Sequence, residues 1–459
     1  MPFRQTLPPQ APPRLRASHI AAVAAGNGLE FYDFLIYATF ALYIGRAYFP
    51  AHGPVMSLLL SLATFGIGFA TRPLGGMVLG RLGDRIGRKP AMLISFALMA
   101  VGLLGLAITP SYAQIGLAAP VLVVIFRLIQ GFALGGEVGP TTSYLVEAAP
   151  PRRRGLIGSM QGASQGVAFL AASGAALALS FALSPHDLER WGWRLAFLFG
   201  LIIVPFGLWL RGGLPDIAHA ESPLVAEPSR PEAKGAEPYK PAANPDQRPA
   251  PSRPLWILVA LSVMLLASGT INTYVGSYMT TFAMDTLRLS AHAAFGVGVV
   301  NGVCTMLCAP IGGWLSDRFG RRGIMIPAAS VSALAILPAF WMLIRHPSPL
   351  MLYAAMAATA IPTAMASAAA LISITESFPP RMRSFAVGTI YAVAIAVFGG
   401  TTQFVVAWLL HATGQPMAPA FYRLAASLMG LTAMICLQES APAKARAVIP
   451  VLAAIVEAA

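Results

Sequence analysis

GRLGDRIGRK occupies residues 80 to 89, and GWLSDRFGRR occupies residues 313 to 322. Both carry a Gly at the start, an Asp-Arg pair in the middle and a Gly-Arg-basic ending, and Asp317 follows Asp84 by 233 residues. A second pair repeats in the same order. EAAPPRRRG from Glu147 returns as ESFPPRMRS from Glu376, 229 residues later. Two motifs recurring at nearly one offset indicate an internal duplication.

Between the copies lies a stretch, 212 to 253, rich in Pro, Ala and charge, which cannot bury enough apolar surface to fold alone. The sequence therefore predicts a tail (1–18), a first half (19–211), a linker (212–253), a second half (254–438) and a tail (439–459). Over the whole chain 56% of residues are hydrophobic and only 11% are charged, with mean hydropathy +0.68. Apolar runs recur at the roughly 20-residue length that a ~30 Å hydrocarbon core demands of a helix. Twelve can be drawn, six in each half, the first over 20–47 and the last over 420–437. The expected fold class is an all-α membrane protein of twelve transmembrane helices in two pseudo-symmetric six-helix halves. In that arrangement a substrate site lies near the midplane between the halves, and rocking gives alternating access.

The net charge of +13 does not require a nucleic-acid partner, because the placement of the basic residues explains it. Assigning loops alternately to two sides puts 23 of the 31 Lys and Arg on one side and six on the other, Arg423 among the six. This asymmetry predicts a bacterial-type inner-membrane protein with both termini cytoplasmic. The N-terminal MPFRQTLPPQAPPRLRASH lacks the apolar core of a signal peptide. Cys304, Cys308 and Cys436 form neither a disulfide framework nor a metal cluster, and the seven histidines are not at metal-ligand spacing. No cofactor and no metal are expected, and no nucleophile-and-base or phosphate motif suggests an enzyme.

At the repeated GxxxDRxGR[KR] segments the chain resembles the major facilitator superfamily, over about residues 22 to 437. Asp84 and Arg88 are four apart, as are Asp317 and Arg321, so each pair can bridge on one face of a short helix. The resemblance implies that these clusters hold a cytoplasmic gate closed, joined by Glu147 with Arg154 and by Glu376 with Arg383. Orientation alone would account for the basic residues but not for Asp84 and Asp317, since acids contribute little to it.

Ionisable residues within spans cost roughly 2.5 to 3.5 kcal/mol each at a helix centre on insertion scales, so each is a functional candidate. Five are drawn: Glu30, Asp33, Arg72, Arg127 and Glu137, all in the first half. Asn27, Glu30, Asp33 and Tyr37 form a stripe expected to face a central cavity. Arg127, Gln130, Glu137, Thr141 and Tyr144 form a second polar face, interrupted only by Leu134. Desolvation favours a neutral acid and a nearby guanidinium favours the carboxylate, so an Asp33–Arg127 pair could exchange a proton as substrate comes and goes. A fixed structural ion pair is the other reading. Arg72, in TRPLGG, would offer a second guanidinium to a carboxylate, or else snorkel to the interface.

In GSMQGASQG, Gly158, Gly162 and Gly166 make a double GxxxG face for close helix contact. Gln161 and Gln165 lie off that face as candidate substrate ligands, with Asn301 and Tyr391 from the second half. More narrowly, GNGLEFYDFLIYATFALYIGRAYFP, GIGFATRPLGG and FRLIQGFALGGEVG resemble segments of the metabolite:proton symporters, and GEVGPTTSYLVEAAPPRRRG is most similar to the citrate and tricarballylate branch. That resemblance implies a proton symporter importing a di- or tricarboxylate, and a monomer is the expected state. Asp33 would be its proton carrier, with Glu30 and Glu137 as secondary proton sites. A symporter of osmolytes or other monocarboxylates, and a proton-antiport exporter, stand as alternatives.

Overall fold

The computed structural model describes residues 17–50, 53–86, 88–135, 145, 149–201 and 254–441, with Glu30, Asp84 and Arg88 described by backbone alone. Glu137 and Glu147, the 212–253 linker, and nearly all of both tails lie outside the described residues. No strand occurs among the described residues. Eight of their helices are long and apolar enough to cross a membrane, and Leu93–Ile108 and Ala118–Leu134 are shorter apolar helices.

The first half contains α1 (Ala17–Thr39), α2 (Ala41–Tyr48), α3 (Pro54–Ala70), α4 (Arg72–Ile86), α5 (Arg88–Ile108), α6 (Ala118–Leu134), α7 (Arg154–Gly158) and α8 (Met160–Ala182). A further helical run begins at Trp193. The second half contains α9 (Leu255–Asp285), α10 (Ala291–Phe319), α11 (Arg321–Arg345), α12 (Pro349–Ser377), α13 (Pro380–Ala394), α14 (Gly400–Thr413) and α15 (Ala418–Cys436). One π turn, Ile395–Gly399, joins α13 to α14.

Side-chain placement inverts that of a water-soluble bundle. Large apolar residues such as Leu334 (77% exposed), Trp256 and Phe181 face outward, whereas Asp33, Arg127, Gln130 and Arg423 are buried. Hydrocarbon favours that surface, and polar groups are then confined to the interior, where they must find partners.

Small residues bring the halves together. A Cβ at Gly166 on α8 would collide with the backbone of Met306 on α10, and Gly162 faces Ala309 of the same helix. A Cβ at Gly66 on α3 would collide with the carbonyl of Gly400 on α14. The GxxxG face of α8 is thus a contact between halves, as its spacing predicts. At the end away from the repeated motifs, the rings of Phe40 and Tyr43 lie 5.3 and 6.3 Å from that of Phe295 on α10. The halves meet at both ends and enclose a cavity between them.

Candidate substrate and proton site

Asp33 is 1% exposed, midway along the long α1–α2 segment. Its Oδ1 accepts from Gln130 Nε2 at 2.7 Å, and Gln130 Oε1 accepts from Arg127 Nη1 at 2.9 Å. Arg127 Nη2 donates to the Phe65 carbonyl at 3.3 Å. The sequence predicts a direct Asp33–Arg127 pair; the structure places the Gln130 amide between them. Arg127 and Gln130 are one turn apart on α6, so the shorter side chain spans the gap to α1 while the arginine lies back against α3. Asp33 Oδ2 has no hydrogen-bond partner among the described residues, which leaves one carboxylate oxygen open to a proton.

Aromatic rings cover the cations. The Arg127 guanidinium lies 4.5 Å from the centroids of both Phe34 and Tyr37, and that of Arg72 lies 4.4 Å from Phe34 and 4.5 Å from Phe69. Stacking on a ring face stabilises a desolvated guanidinium by about 2 kcal/mol or more. Tyr274, from the second half, closes over the group with its ring 5.8 Å from Phe65 and 5.6 Å from Phe69. The two arginines of the first half are therefore enclosed in an aromatic shell that the second half completes.

The cavity measures about 180 Å³ and is lined mainly by the second half. Gln165, Asn301 and Tyr391 line it as expected from the sequence. Gln161, Asp33, Arg72 and Arg127 do not, although all four are buried. The α1 stripe is likewise not a cavity face. Asn27 donates to Ser164 Oγ at 2.8 Å and Tyr37 donates to the Ser61 carbonyl at 3.3 Å, so both serve packing within the first half. Phe31 is the residue of α1 that reaches the cavity. A stripe on a helix enclosed by neighbours can face α3, α6 or α8, and periodicity does not choose among them.

Arg423 is the lining residue that sequence reasoning missed as a site. The last span drawn, 420–437, already contains it, yet the alternating count of basic residues sets it on the outer side. Helix α15 begins at Ala418, so Arg423 lies ~7.5 Å inside the helix, is 3% exposed, and borders the cavity. Ser427, one turn on and also lining the cavity, was the available signal: the two make a polar face on an apolar helix.

At the end bearing the repeated motifs, Gly320 has φ +91°, a conformation that suits glycine, and it separates α10 from α11. Asp317 and Arg321 are therefore not on one short helix as expected; they pair at 2.7 Å across a helix break. Arg321 also pairs with Glu376 at 3.2 Å, and both members are almost wholly buried. Across the interface, Asp317 accepts from the backbone N–H groups of Gly155 and Leu156 at 2.8 and 2.9 Å. One carboxylate thus links α10 to α7 of the other half. Arg154 opens α7 and is buried, while Arg383 donates to the Phe378 carbonyl at 3.3 Å. Glu439, placed in the tail by the sequence reading, accepts from the backbone N–H groups of Arg321 and Arg322 at 2.8 and 3.0 Å, capping α11.

The family model described as Major Facilitator Superfamily matches residues 23–308 and 297–450. The chain belongs to that superfamily. This superfamily member is 35% identical over 419 residues to a citrate-proton symporter of Klebsiella pneumoniae, with 91% of each chain covered. It is 31% identical to a shikimate transporter of Escherichia coli (strain K12), with 91% of this chain and 93% of the relative covered. Its fold matches the crystal structure of a D-xylose-proton symporter with TM-score 0.70 at 17% identity, covering 93% of this chain and 98% of that one. A superfamily of multi-pass transporters, not an enzyme family, is where this chain sits.

Proposed function

We propose that this superfamily member is a proton symporter that imports a citrate-like di- or tricarboxylate across a bacterial inner membrane, with both termini cytoplasmic. The observation that carries the coupling is the buried chain Asp33–Gln130–Arg127, in which a carboxylate with one open oxygen communicates with a guanidinium through a single amide. The resemblance to citrate-proton symporters supports the substrate class.

In this reading Asp33 carries the coupling proton, and Arg127 with Arg72 responds to a substrate carboxylate when the halves rock and Tyr274 withdraws from the aromatic shell. Glu30, on α1, and Glu137 are secondary proton sites. Gln165, Asn301 and Tyr391 hold substrate oxygens in the cavity. The Asp317–Arg321–Glu376 cluster, with Arg154, Arg383 and its counterparts Asp84, Arg88 and Glu147, latches the cytoplasmic gate.

Each net charge crossing the membrane is worth about 2.3 kcal/mol per 100 mV. A trianion entering a negative interior therefore needs several protons, whether carried on the substrate or on the protein. The test is uptake of labelled citrate, tricarballylate, 2-oxoglutarate and betaine into proteoliposomes with an imposed proton gradient. Gradient-dependent accumulation of a di- or tricarboxylate is the expected result. Accumulation of betaine alone, or of no carboxylate while the gradient holds, contradicts the reading.

A further inference from the structure

We infer that Arg423 forms a carboxylate-binding subsite in the second half, distinct from the two arginines of the first half. Among the described residues that line the cavity it alone is charged. Its Nε donates to Asn272 Oδ1 at 2.9 Å and its Nη1 donates to Thr359 Oγ1 at 3.0 Å. Among the described residues Nη2 has no partner and no acidic side chain pairs with the guanidinium.

The supports are themselves fixed. Asn272 donates to Ser427 Oγ at 3.1 Å and to the Ser268 carbonyl at 2.9 Å, while Thr359 Oγ1 donates to the Ala355 carbonyl at 3.0 Å. Three helices, α9, α12 and α15, thus hold the guanidinium in one orientation with neutral groups only. A buried charge without a counter-ion is costly unless something supplies one. Neutral dipoles orient the cation but leave its charge uncompensated, and a carboxylate in the cavity would complete it with a charge-assisted hydrogen bond.

The surroundings fit an oxygen-rich anion. Ser268, Ser332, Thr363, Ser367 and Ser427 line the same cavity as Arg423 with hydroxyl groups. Arg72 and Arg127 lie behind the aromatic shell, so Arg423 meets a substrate carboxylate while the shell is closed. A substrate with two or more carboxylates can then engage both halves in succession, one group on Arg423 and another on the first-half arginines. This inference rests on the carboxylate reading above and adds to it the residue that receives the substrate.

The experiment is equilibrium binding of citrate and tricarballylate to the purified full chain, by calorimetry, for the native protein and for Arg423→Gln, Arg423→Lys and Asn272→Asp. Gln should weaken binding at least tenfold, and Lys should recover part of the loss. Asn272→Asp keeps the arginine and gives it an internal counter-ion, so it too should weaken binding at least tenfold, which preserves the test if Arg423→Gln fails to fold. Native-like affinity in folded Arg423→Gln or in Asn272→Asp, alongside carboxylate binding by the native chain, overturns the Arg423 subsite and leaves the symporter reading standing. Absence of carboxylate binding by the native chain overturns both.

Discussion

Two buried arginine centres occupy the two halves, and their partners differ. Arg127 is connected through Gln130 to an acid and covered by rings of Phe34, Tyr37 and Phe65. Arg423 is held by an asparagine and a threonine and borders the cavity. A cation coupled to a titratable acid can register protonation, whereas a cation held by neutral dipoles can only register an anion. On the proposed reading, proton coupling belongs to the first half and initial substrate capture to the second.

The largest expected effect is on accumulation in Asp33→Asn. One coupled proton at 100 mV supports about a fifty-fold concentration ratio. In proteoliposomes the variant should lose that ratio while still exchanging labelled for unlabelled substrate across the membrane. Loss of exchange along with accumulation would make Asp33 a structural or substrate residue and erase the contrast between the centres. Arg127→Gln should likewise lose gradient-driven accumulation; full retention there would break the Asp33–Gln130–Arg127 assignment.

A smaller effect belongs to the bridge. Gln130→Leu removes two hydrogen bonds, each contributing about 1 kcal/mol, and should lower gradient-driven uptake about thirtyfold with carboxylate affinity changed less. Equal losses in uptake and affinity would mean that Gln130 serves binding instead of communication between Asp33 and Arg127.

The latch is expected to act on conformation and not on either arginine centre. Asp317→Asn weakens charge-assisted contacts to Arg321, Gly155 and Leu156, each contributing about 1.5 to 3 kcal/mol. Maleimide labelling of Ser159→Cys, on the cavity wall beside that interface, should become several-fold faster in the Asp317→Asn background. Unchanged labelling would show that the carboxylate does not hold this end closed. The smallest effect should come from Arg46→Ala, since Arg46 and Glu189 form a half-exposed pair at 2.9 Å. Its thermal stability should change by less than about 1 kcal/mol.

The architecture was legible in the sequence because it is written as repetition: two motif pairs at nearly one spacing, separated by a polar linker. Duplication and helical period identify halves, spans and the α8 glycine face without any tertiary information. Orientation within a bundle is less legible. The stripe of Asn27 and Asp33 reads as facing a cavity; both residues are buried but do not line it, because helix period does not distinguish a cavity from the neighbouring α6 and α8 helices. Gln130 was visible in the α6 polar face, yet its place between acid and arginine depends on the separation of two helices. Arg423 falls inside the last drawn span, but so near its start that it counts as an outer basic residue, and only the packing of α15 against α9 and α12 shows it buried on the cavity. Asp317 and Arg321 were read as neighbours on one helix, and only the backbone at Gly320 reveals the break that their pairing crosses.

The central claim, that coupling and capture reside in different halves, is tested most directly by measuring citrate affinity and gradient-driven citrate accumulation side by side for Asp33→Asn and Arg423→Gln. The account predicts opposite defects: Asp33→Asn binds citrate but does not concentrate it, and Arg423→Gln binds at least tenfold more weakly yet still concentrates citrate when the external supply is raised to match. If both variants lose affinity and coupling in the same proportion, the two arginine centres are a single site and the division between the halves is wrong.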